Sequence, residues 1–198
     1  MIKAILIFSL LFTITFSQNL ILNSSFEEIT PTHWYSTTWE GANPHFEFPE
    51  TGKDSKKALL IHSEQETNSA VFTRVQVLPN TDYKLSGWIK TEDIEISNGQ
   101  GASILLDFDQ NKAVKFTATN SWTYTEFLFN SGNRDSINIY CILGIWGKAK
   151  GKAYFDNISL IPASVNKTNQ NMEIKNISVE YPQIPLLINK TNNPAVRI

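Results

Sequence analysis

The 198-residue chain has one cysteine, few charged residues and no sustained helical periodicity. The lone Cys141 has no partner for an internal disulfide, so the fold must depend on its core or on a metal. Only 18% of the residues are charged, and the net charge is −2. This balance gives no electrostatic footprint for nucleic acid or an anionic membrane, and we expect neither as a partner.

Long apolar runs are absent except at the start of the chain. A short positive start, "MIK", precedes "AILIFSLLFTITF", a run of about 13 residues where roughly 20 are needed to span a bilayer. Thr15 and Ser17 are small residues suited to cleavage before Gln18. We interpret residues 1–17 as a signal peptide rather than a membrane anchor, and we expect a secreted, extracellular protein.

The rest of the chain is rich in short segments of Val, Ile, Thr, Tyr and Phe between turn signals such as "LPNTD" and "NSGNRDS". Eight such segments predict an all-β fold, a two-sheet β-sandwich jelly roll rather than a barrel around a channel. The predicted strands are Asn19–Leu22, Ala58–Ser63, Ala70–Val77, Thr81–Thr91, Ala102–Asp109, Thr123–Phe129, Ser136–Ile145 and Lys152–Ile161.

Composition divides the chain after residue 161. Residues 18–161 form the predicted sandwich, and residues 162–198 are an Asn- and Pro-rich linker or C-terminal extension. If the tail contains strands that lack a partner, we expect either that the natural protein continues past Ile198 or that the tail folds back on the sandwich. Glycosylation sequons, which predict a glycoprotein if the source organism glycosylates, fall at Asn23, Asn157, Asn166, Asn176 and Asn189.

Several motifs follow one another in order: "NLILNSSFEE", Trp34, "GKDSKKALLI", "VQVLPNTDYKLSGWIKTE", "WTYTEFLF" and "AYFDNISL". From Asn19 to Leu160 they resemble the carbohydrate-binding modules of the family 4, 9 and 22 group. These are galactose-binding-like β jelly rolls, usually attached to secreted polysaccharide-degrading enzymes. The resemblance implies a non-catalytic module that binds a polysaccharide or glycan, with a tethered catalytic domain as a further partner.

The same resemblance implies a structural calcium ion where the first and last strands meet. Glu27 and Asp156 would supply carboxylates, and the turn containing Gly52, Lys53 and Asp54 would add further oxygens. Ca²⁺ takes six to eight hard oxygen ligands, which suits such a set. The alternative is that both carboxylates are solvated edge residues.

Each of these carboxylates follows a phenylalanine, Phe26 or Phe155. Because side chains alternate along a strand, each Phe would enter the core while its acidic neighbour turns the other way.

A sugar site needs exposed aromatic rings with hydrogen-bonding groups beside them. In "DYKLSGWIKTE", alternation puts Trp88 among polar residues, which is unusual for a core tryptophan. In "SINIYCILGIW", the same alternation puts Tyr140 and Trp146 opposite a uniformly apolar face. These three are the predicted platforms, although each could instead cover a small second core. Trp34 and Trp122 are expected to be structural.

Polar candidates come from neighbouring strands. Alternation turns Arg74, Gln76 and Asp107 away from the core. Trp39 lies in a predicted long loop, "YSTTWEGANPHFEF", where it could border the site. If these outer faces belong to one sheet, they form a groove with aromatic walls and polar readers.

An enzyme is the less favoured interpretation. His33, His45 and His62 show no metal-ligand spacing, and neither a nucleophile elbow nor a phosphate loop is present. A glycosidase needs only two carboxylates at the right separation, and spacing along a β chain does not exclude that. The candidates are Glu40, Glu47, Asp107, Asp109 and Glu126.

Three functions therefore follow from the sequence. The favoured one is a carbohydrate-binding module. The alternatives are an adhesion or accessory domain that contacts protein or leads a larger glycoside hydrolase such as a sialidase, and a glycosidase in its own right.

Overall fold

A computed structural model describes residues 18–28 and 32–163. The predicted signal peptide and the tail from residue 164, with its sequons at Asn166, Asn176 and Asn189, lie outside the described residues. In the described ranges every regular element is a strand, and no helix there is long and apolar enough to cross a membrane.

Eight strands make up the fold. They are β1 (Tyr35–Gly41), β2 (His45–Glu47), β3 (Leu59–Gln76), β4 (Asp82–Ile96), β5 (Gly101–Leu106), β6 (Ala118–Asn130), β7 (Ser136–Gly144) and β8 (Ala149–Pro162).

All strand pairs are antiparallel, and β3 belongs to both layers of the sandwich. Its first half pairs with β8 and β2, and its second half pairs with β7 and β1. The register shifts between Ser63 and Thr67, as expected at a β-bulge, where one strand bends and turns into a second layer. One layer is therefore β6-β4-β8-β3-β2, and the other is β5-β7-β3-β1.

The inner faces of the two layers meet across an aliphatic and aromatic core. A methyl group built onto Gly87 of β4 would come within 2.6 Å of Ile104 Cδ1 on β5, so these strands face each other at close range. Leu85, Ile89 and Phe155 are completely buried, and each such side chain stabilises the fold by about 1.5–3 kcal/mol. "Outer" below means the face of a layer turned away from this core.

Two predictions about strands were wrong. Ala58–Ser63 and Ala70–Val77 are one strand, because the exposed residues 64–66 continue the chain through the bulge. The predicted loop after Trp34 contains β1 and β2. Both strands pair with β3, and their polar sequences lack the alternation that would have predicted them.

The segment Asn19–Leu22 is also not a strand, although it does lie beside the last one. The Leu20 amide donates to the Leu160 carbonyl at 2.9 Å, and the Asn19 side chain bonds to the backbone of Ile158 and Leu160. Hydrogen bonds from the Asn19 side chain thus take the place of some of the backbone hydrogen bonds that a paired strand would make.

Candidate functional site

The outer face of β5-β7-β3-β1 carries a cleft of about 370 Å³. Tyr140 stands on β7 at the centre of this face. The residues that line the cleft are Trp39, Asn68, Leu105, Asp107, Gln110, Tyr140, Ile142, Ile145 and Trp146. Four of the seven predicted ligand residues, Trp39, Tyr140, Trp146 and Asp107, therefore meet at one site.

Strand register puts the centre of this site in a row across the sheet. Tyr35 on β1 lies opposite Phe72 on β3, Phe72 opposite Tyr140 on β7, and Tyr140 opposite Leu105 on β5. Residues directly opposite each other share one face of a sheet. The Phe72 and Tyr140 ring centroids are 5.3 Å apart, so the cleft continues into a row of aromatic rings.

Trp39 reaches the cleft because β1 is irregular at that residue. The register between β1 and β3 shifts between Thr38 and Glu40, leaving Trp39 without a partner position. A bulge of this kind re-aims a side chain. The Trp39 ring is 53% exposed and its centroid is 5.7 Å from that of Tyr140.

Trp146 is presented by a strained turn after β7. Ile145 and Trp146 both have left-handed backbone torsions, with φ of 62° and 54°, which costs about 1–3 kcal/mol per residue and clusters at functional sites. Ile145 is 1% exposed while Trp146 is 73% exposed. Buried Ile145 anchors the turn, and Trp146 projects into solvent at the wall of the cleft.

Close packing and hydrogen bonds hold this turn in place. Gly144 has φ of 122°, and a methyl group there would come within 2.8 Å of the Asn68 Cα. The amide of Ile145 donates to Asn68 Oδ1 at 3.3 Å, and the amide of Gln100 donates to the Gly144 carbonyl at 2.6 Å. The turn is therefore fixed by its neighbours rather than by its own torsional preference.

Polar groups lie beside the rings. Asn138 Nδ2 donates to Asp107 Oδ2 at 3.2 Å. Burial raises the pKa of Tyr140, and the negative charge of Asp107 adds to that rise while a hydrogen bond with Asn138 opposes it. The Tyr140 hydroxyl is thus a protonated hydrogen-bonding group at neutral pH. Asp107 is exposed and offers a carboxylate at the cleft edge.

Arg74 and Gln76 share this outer face but lie beyond the cleft. They pair in register with Asn138 and Ser136 on β7. Both guanidinium nitrogens Nε and Nη2 of Arg74 donate to Ser136 Oγ, at 3.3 and 2.8 Å. The two residues therefore stand at the far end of the same face.

The structure separates Trp88 from the cleft, contrary to the expectation of one shared groove. Gly87 on β4 faces Ile104 on β5 across the core, so their neighbours Trp88 and Leu105 point in opposite directions. Trp88 is half-buried on the outer face of the other layer. Its ring centroid is 5.4 Å from that of Tyr124 and 4.6 Å from the Lys53 ammonium.

The predicted closure near the two ends of the domain is present in part. Phe26 and Phe155 are completely buried, as predicted, and Trp34 is 6% exposed. Alternation explains Phe155 on β8 but not Phe26, which lies outside the strands with a φ of 59°. Asp156 is also completely buried. Its carboxylate accepts hydrogen bonds from the amide of Lys53 and the hydroxyl of Ser55, both at 2.7 Å. The predicted turn and carboxylate thus do lie together.

The two carboxylates predicted to hold calcium interact electrostatically. Burial raises its pKa, hydrogen bonds from Ser55, Lys53 and Asn157 oppose the rise, and the nearby charge of Glu27 adds to it. Glu27 Oε1 accepts the Lys57 amide at 2.6 Å. The hydrogen-bond donors to Asp156 are two backbone amides and a hydroxyl, all of them neutral.

The other members of the predicted calcium set differ in their surroundings. Asp54 is 61% exposed and pairs with Lys53 Nζ at 3.0 Å, while the Gly52 amide donates to the Lys56 carbonyl within the turn. In the described ranges, no group of three or more His, Cys, Asp or Glu side chains is arranged to hold a metal. A hard cation here would need backbone carbonyls and water as its further ligands.

Sequence reasoning missed the floor of the cleft and one wall. Leu105, Ile142 and Ile145 form a small apolar cluster with Ala113, whose loop follows β5. Gln110, in the same loop, lines the cleft. Tyr140 packs on this cluster and also lines the cleft. It therefore covers a small second core and is also available as a wall of the site, the two alternatives that the sequence left open for an outward aromatic. The sequence signal was the consecutive apolar residues "ILL" at 104–106 and "CIL" at 141–143, which break the alternation of a half-buried strand.

No family model matches the chain, and no curated protein matches it. Among solved structures, an arabinose-bound MgGH51 α-L-arabinofuranosidase is similar over 73% of this chain and 26% of its own length, with 18% identity and a TM-score of 0.52. A cyclase from Fischerella sp. TAU is similar over 72% of this chain and 96% of its own length, with 17% identity and a TM-score of 0.50.

Carbohydrate-binding modules are also among the similar structures. TmCBM61 in complex with β-1,4-galactotriose covers 74% of this chain and 99% of its own length, with 19% identity and a TM-score of 0.48. Modules named CBM22-1, CBM4 and family 16 are similar as well. The predicted fold is confirmed by the strands themselves: the chain is an all-β sandwich, and the arabinofuranosidase and the cyclase are similar to it in fold.

Proposed function

We propose that the chain is a secreted, non-catalytic module that binds a poly- or oligosaccharide in the cleft of the β5-β7-β3-β1 layer. The observation that carries this proposal is the meeting of Trp39, Tyr140 and Trp146 around an apolar floor, with two of the rings more than half exposed. Sugar rings offer flat C–H faces that stack on such platforms, and their hydroxyls bond to the amides and carboxylate beside them.

The charge of the cleft favours neutral sugars. Its lining contains one charged side chain, Asp107, and no lysine or arginine among the described residues. A carboxylate disfavours an acidic ligand by like-charge repulsion. The proposed ligand is therefore a neutral glycan rather than a polymer of uronic acids.

The arrangement of carboxylates supports a binding role over catalysis. A glycosidase needs two carboxyl groups about 5–9.5 Å apart on either side of the bond that breaks. Asp107 is the one carboxylate among the cleft-lining residues that the structure describes. Asp109 pairs with Lys112 at 3.0 Å, and Glu126 pairs with Lys84 on the other layer.

A structural calcium ion is part of the proposal. Glu27 and Asp156 would hold it with oxygens of the turn at residues 52–57, and Asp54 is left out because its carboxylate pairs with Lys53. Bound there, the ion would offset the negative charges of Glu27 and Asp156, and it would link the N-terminal segment, the turn and β8.

Calorimetric titration against neutral and uronate-rich soluble glycans tests the binding role. The proposal predicts binding to at least one neutral glycan, weakened by Trp146→Ala, with no release of reducing ends on incubation. Failure to bind any glycan would overturn it and favour an accessory domain that contacts protein. Release of reducing ends would instead establish catalysis.

A further inference from the structure

Spacing along the sequence separates the three histidines, but the sheet brings two of them together. His45 on β2 lies directly opposite His62 on β3 in antiparallel register. Both rings are on the outer face, because Ile61 and Ser63 beside His62 are buried and Phe46 beside His45 packs on the core. We propose that His45 and His62 form a binding site for a divalent transition-metal ion such as Cu²⁺ or Zn²⁺.

The separation of the rings suits one shared ion. The two ring centroids are 6.2 Å apart. A metal bound at about 2.0–2.1 Å from an imidazole nitrogen is roughly 3 Å from the ring centroid, so two rings on one ion are about 5–6.5 Å apart. The observed centroid separation therefore lies within the range that one shared ion requires.

The ligand type selects the class of metal. Imidazole nitrogen suits Cu²⁺, Zn²⁺ and Ni²⁺, whereas Ca²⁺ and Mg²⁺ prefer hard oxygen ligands. The order of affinities among divalent ions places Cu²⁺ first. This site is thus chemically distinct from the carboxylates at Glu27 and Asp156.

A polar cavity of about 330 Å³ gives the ion room for further ligands. Both histidines line it together with Asn43, Glu64 and Gln65. Glu64 is two residues after His62 on the same outer face, with Ser63 buried between them. Its side chain is therefore the next one along that face of β3 after His62. Since no ready cluster of three ligating side chains exists in the described part of the chain, water would complete the coordination.

Charges around the pair are mixed. Glu47 follows His45 on the same face of β2, and Lys152 on β8 is the other neighbour of His62 in register. The ammonium of Lys152 lies 3.8 Å from Glu92 Oε2. This ion pair reduces the repulsion that Lys152 would otherwise exert on a bound cation.

Metal binding would fasten the edge of the layer. β2 has only three residues, and its described strand pairing is with β3 alone. An ion held by both strands binds the native state more tightly than the unfolded chain, in which the two histidines are not held together, so we expect it to raise the unfolding temperature.

The test is titration of the full chain with CuCl₂ and with ZnCl₂, in excess CaCl₂ so that oxygen sites are filled. Asn replaces each histidine in turn: His45→Asn, His62→Asn and, as the matched control, His33→Asn. His33 is exposed and has a left-handed φ of 72°, which Asn tolerates. Melting without metal checks that each variant folds.

The proposal expects binding of one ion with a rise in melting temperature in the parent chain and in His33→Asn. Both effects should be lost in His45→Asn and in His62→Asn. In the Cu²⁺ complex, electron paramagnetic resonance should show coupling to nitrogen. Absence of binding to the parent chain, binding that survives both cavity variants, or loss of binding in His33→Asn would overturn the proposal.

Discussion

The outer faces of the two layers both carry tryptophan and tyrosine among polar residues, yet their tryptophans differ in exposure. On the cleft face, Trp39 and Trp146 are 53% and 73% exposed. On the opposite face, Lys53 stands over the half-buried Trp88 ring at 4.6 Å and Lys90 over the buried Tyr154 ring at 4.7 Å.

Irregular backbone occurs on both faces. The cleft rings are presented by irregular backbone, a bulge at Trp39 and a left-handed turn at Trp146, where strain is held by neighbouring structure. Trp88 lies opposite Tyr124 of β6 in regular register, but its register with β8 shifts between Ser86 and Trp88, where Trp88 lies opposite Asp156. The comparison teaches that an outward aromatic on a strand can serve as cover, and that exposure of the ring, rather than irregular backbone alone, indicates presentation to a ligand.

The largest expected effect is a loss of stability on the outer face that carries Trp88. Asp156→Ala removes a buried acceptor and leaves the donors of Lys53, Ser55 and Asn157 without it, so we expect a loss of about 3 kcal/mol in the free energy of unfolding. Urea denaturation measures this. Asp54→Ala is the matched control in the same turn and should change stability by less than about 0.5 kcal/mol, because its pair with Lys53 is exposed. Equal effects would contradict a special role for Asp156.

Calcium bound at Glu27 and Asp156 should further stabilise the region around Asp156. If the ion binds the native state, a hundredfold excess over its Kd adds about 2.7 kcal/mol to the free energy of unfolding. A chelator should therefore lower the thermal midpoint of the parent chain, and a chain carrying Glu27→Gln should respond less. A midpoint that the chelator leaves unchanged would rule out the ion.

Trp88→Ala is expected to act through stability. Removing a half-buried ring that touches Tyr124 and Lys53 should cost about 2 kcal/mol of unfolding free energy. Trp146→Ala should cost far less, because that side chain is 73% exposed. Thermal melting of the two variants measures the difference, and a greater loss of stability for Trp146→Ala would reverse the assignment of the two faces.

The smallest effect is expected at the far end of the cleft face. Arg74→Ala and Gln76→Ala should each change glycan affinity by less than about 0.5 kcal/mol, since contacts at the rim of a binding surface contribute little. Titration with the same glycan checks this. A large loss at Arg74 would show that the bound chain extends across Asn138 to the end of the strands.

Alternation along strands predicted much of this molecule. It placed Phe155 in the core and Tyr140 on the outer face, and it identified six of the eight strands at least in part, since hydrophobic period is a local property of the sequence. It could not tell that β3 bends through both layers, because the exposed residues 64–66 read as a loop.

That bend determines which strands share a layer. A local sequence pattern does not reveal the bend, so it could not show that Trp88 and Tyr140 lie on the outer faces of different layers. The positive φ values at Ile145 and Trp146 were equally hidden, because only tertiary contacts force a β-branched residue into that conformation. His45 and His62 were separated by 17 positions in the chain and joined only by strand register.

The most direct test of the account is a pair of calorimetric titrations with one neutral glycan that binds the parent chain. Trp146→Ala should weaken binding by about 2 kcal/mol, or roughly 30-fold, because an exposed platform carries a large share of the contact. Trp88→Ala, measured below its melting temperature, should bind as the parent chain does. Unchanged binding by Trp146→Ala together with loss of binding by Trp88→Ala would contradict the account and move the site to the other face.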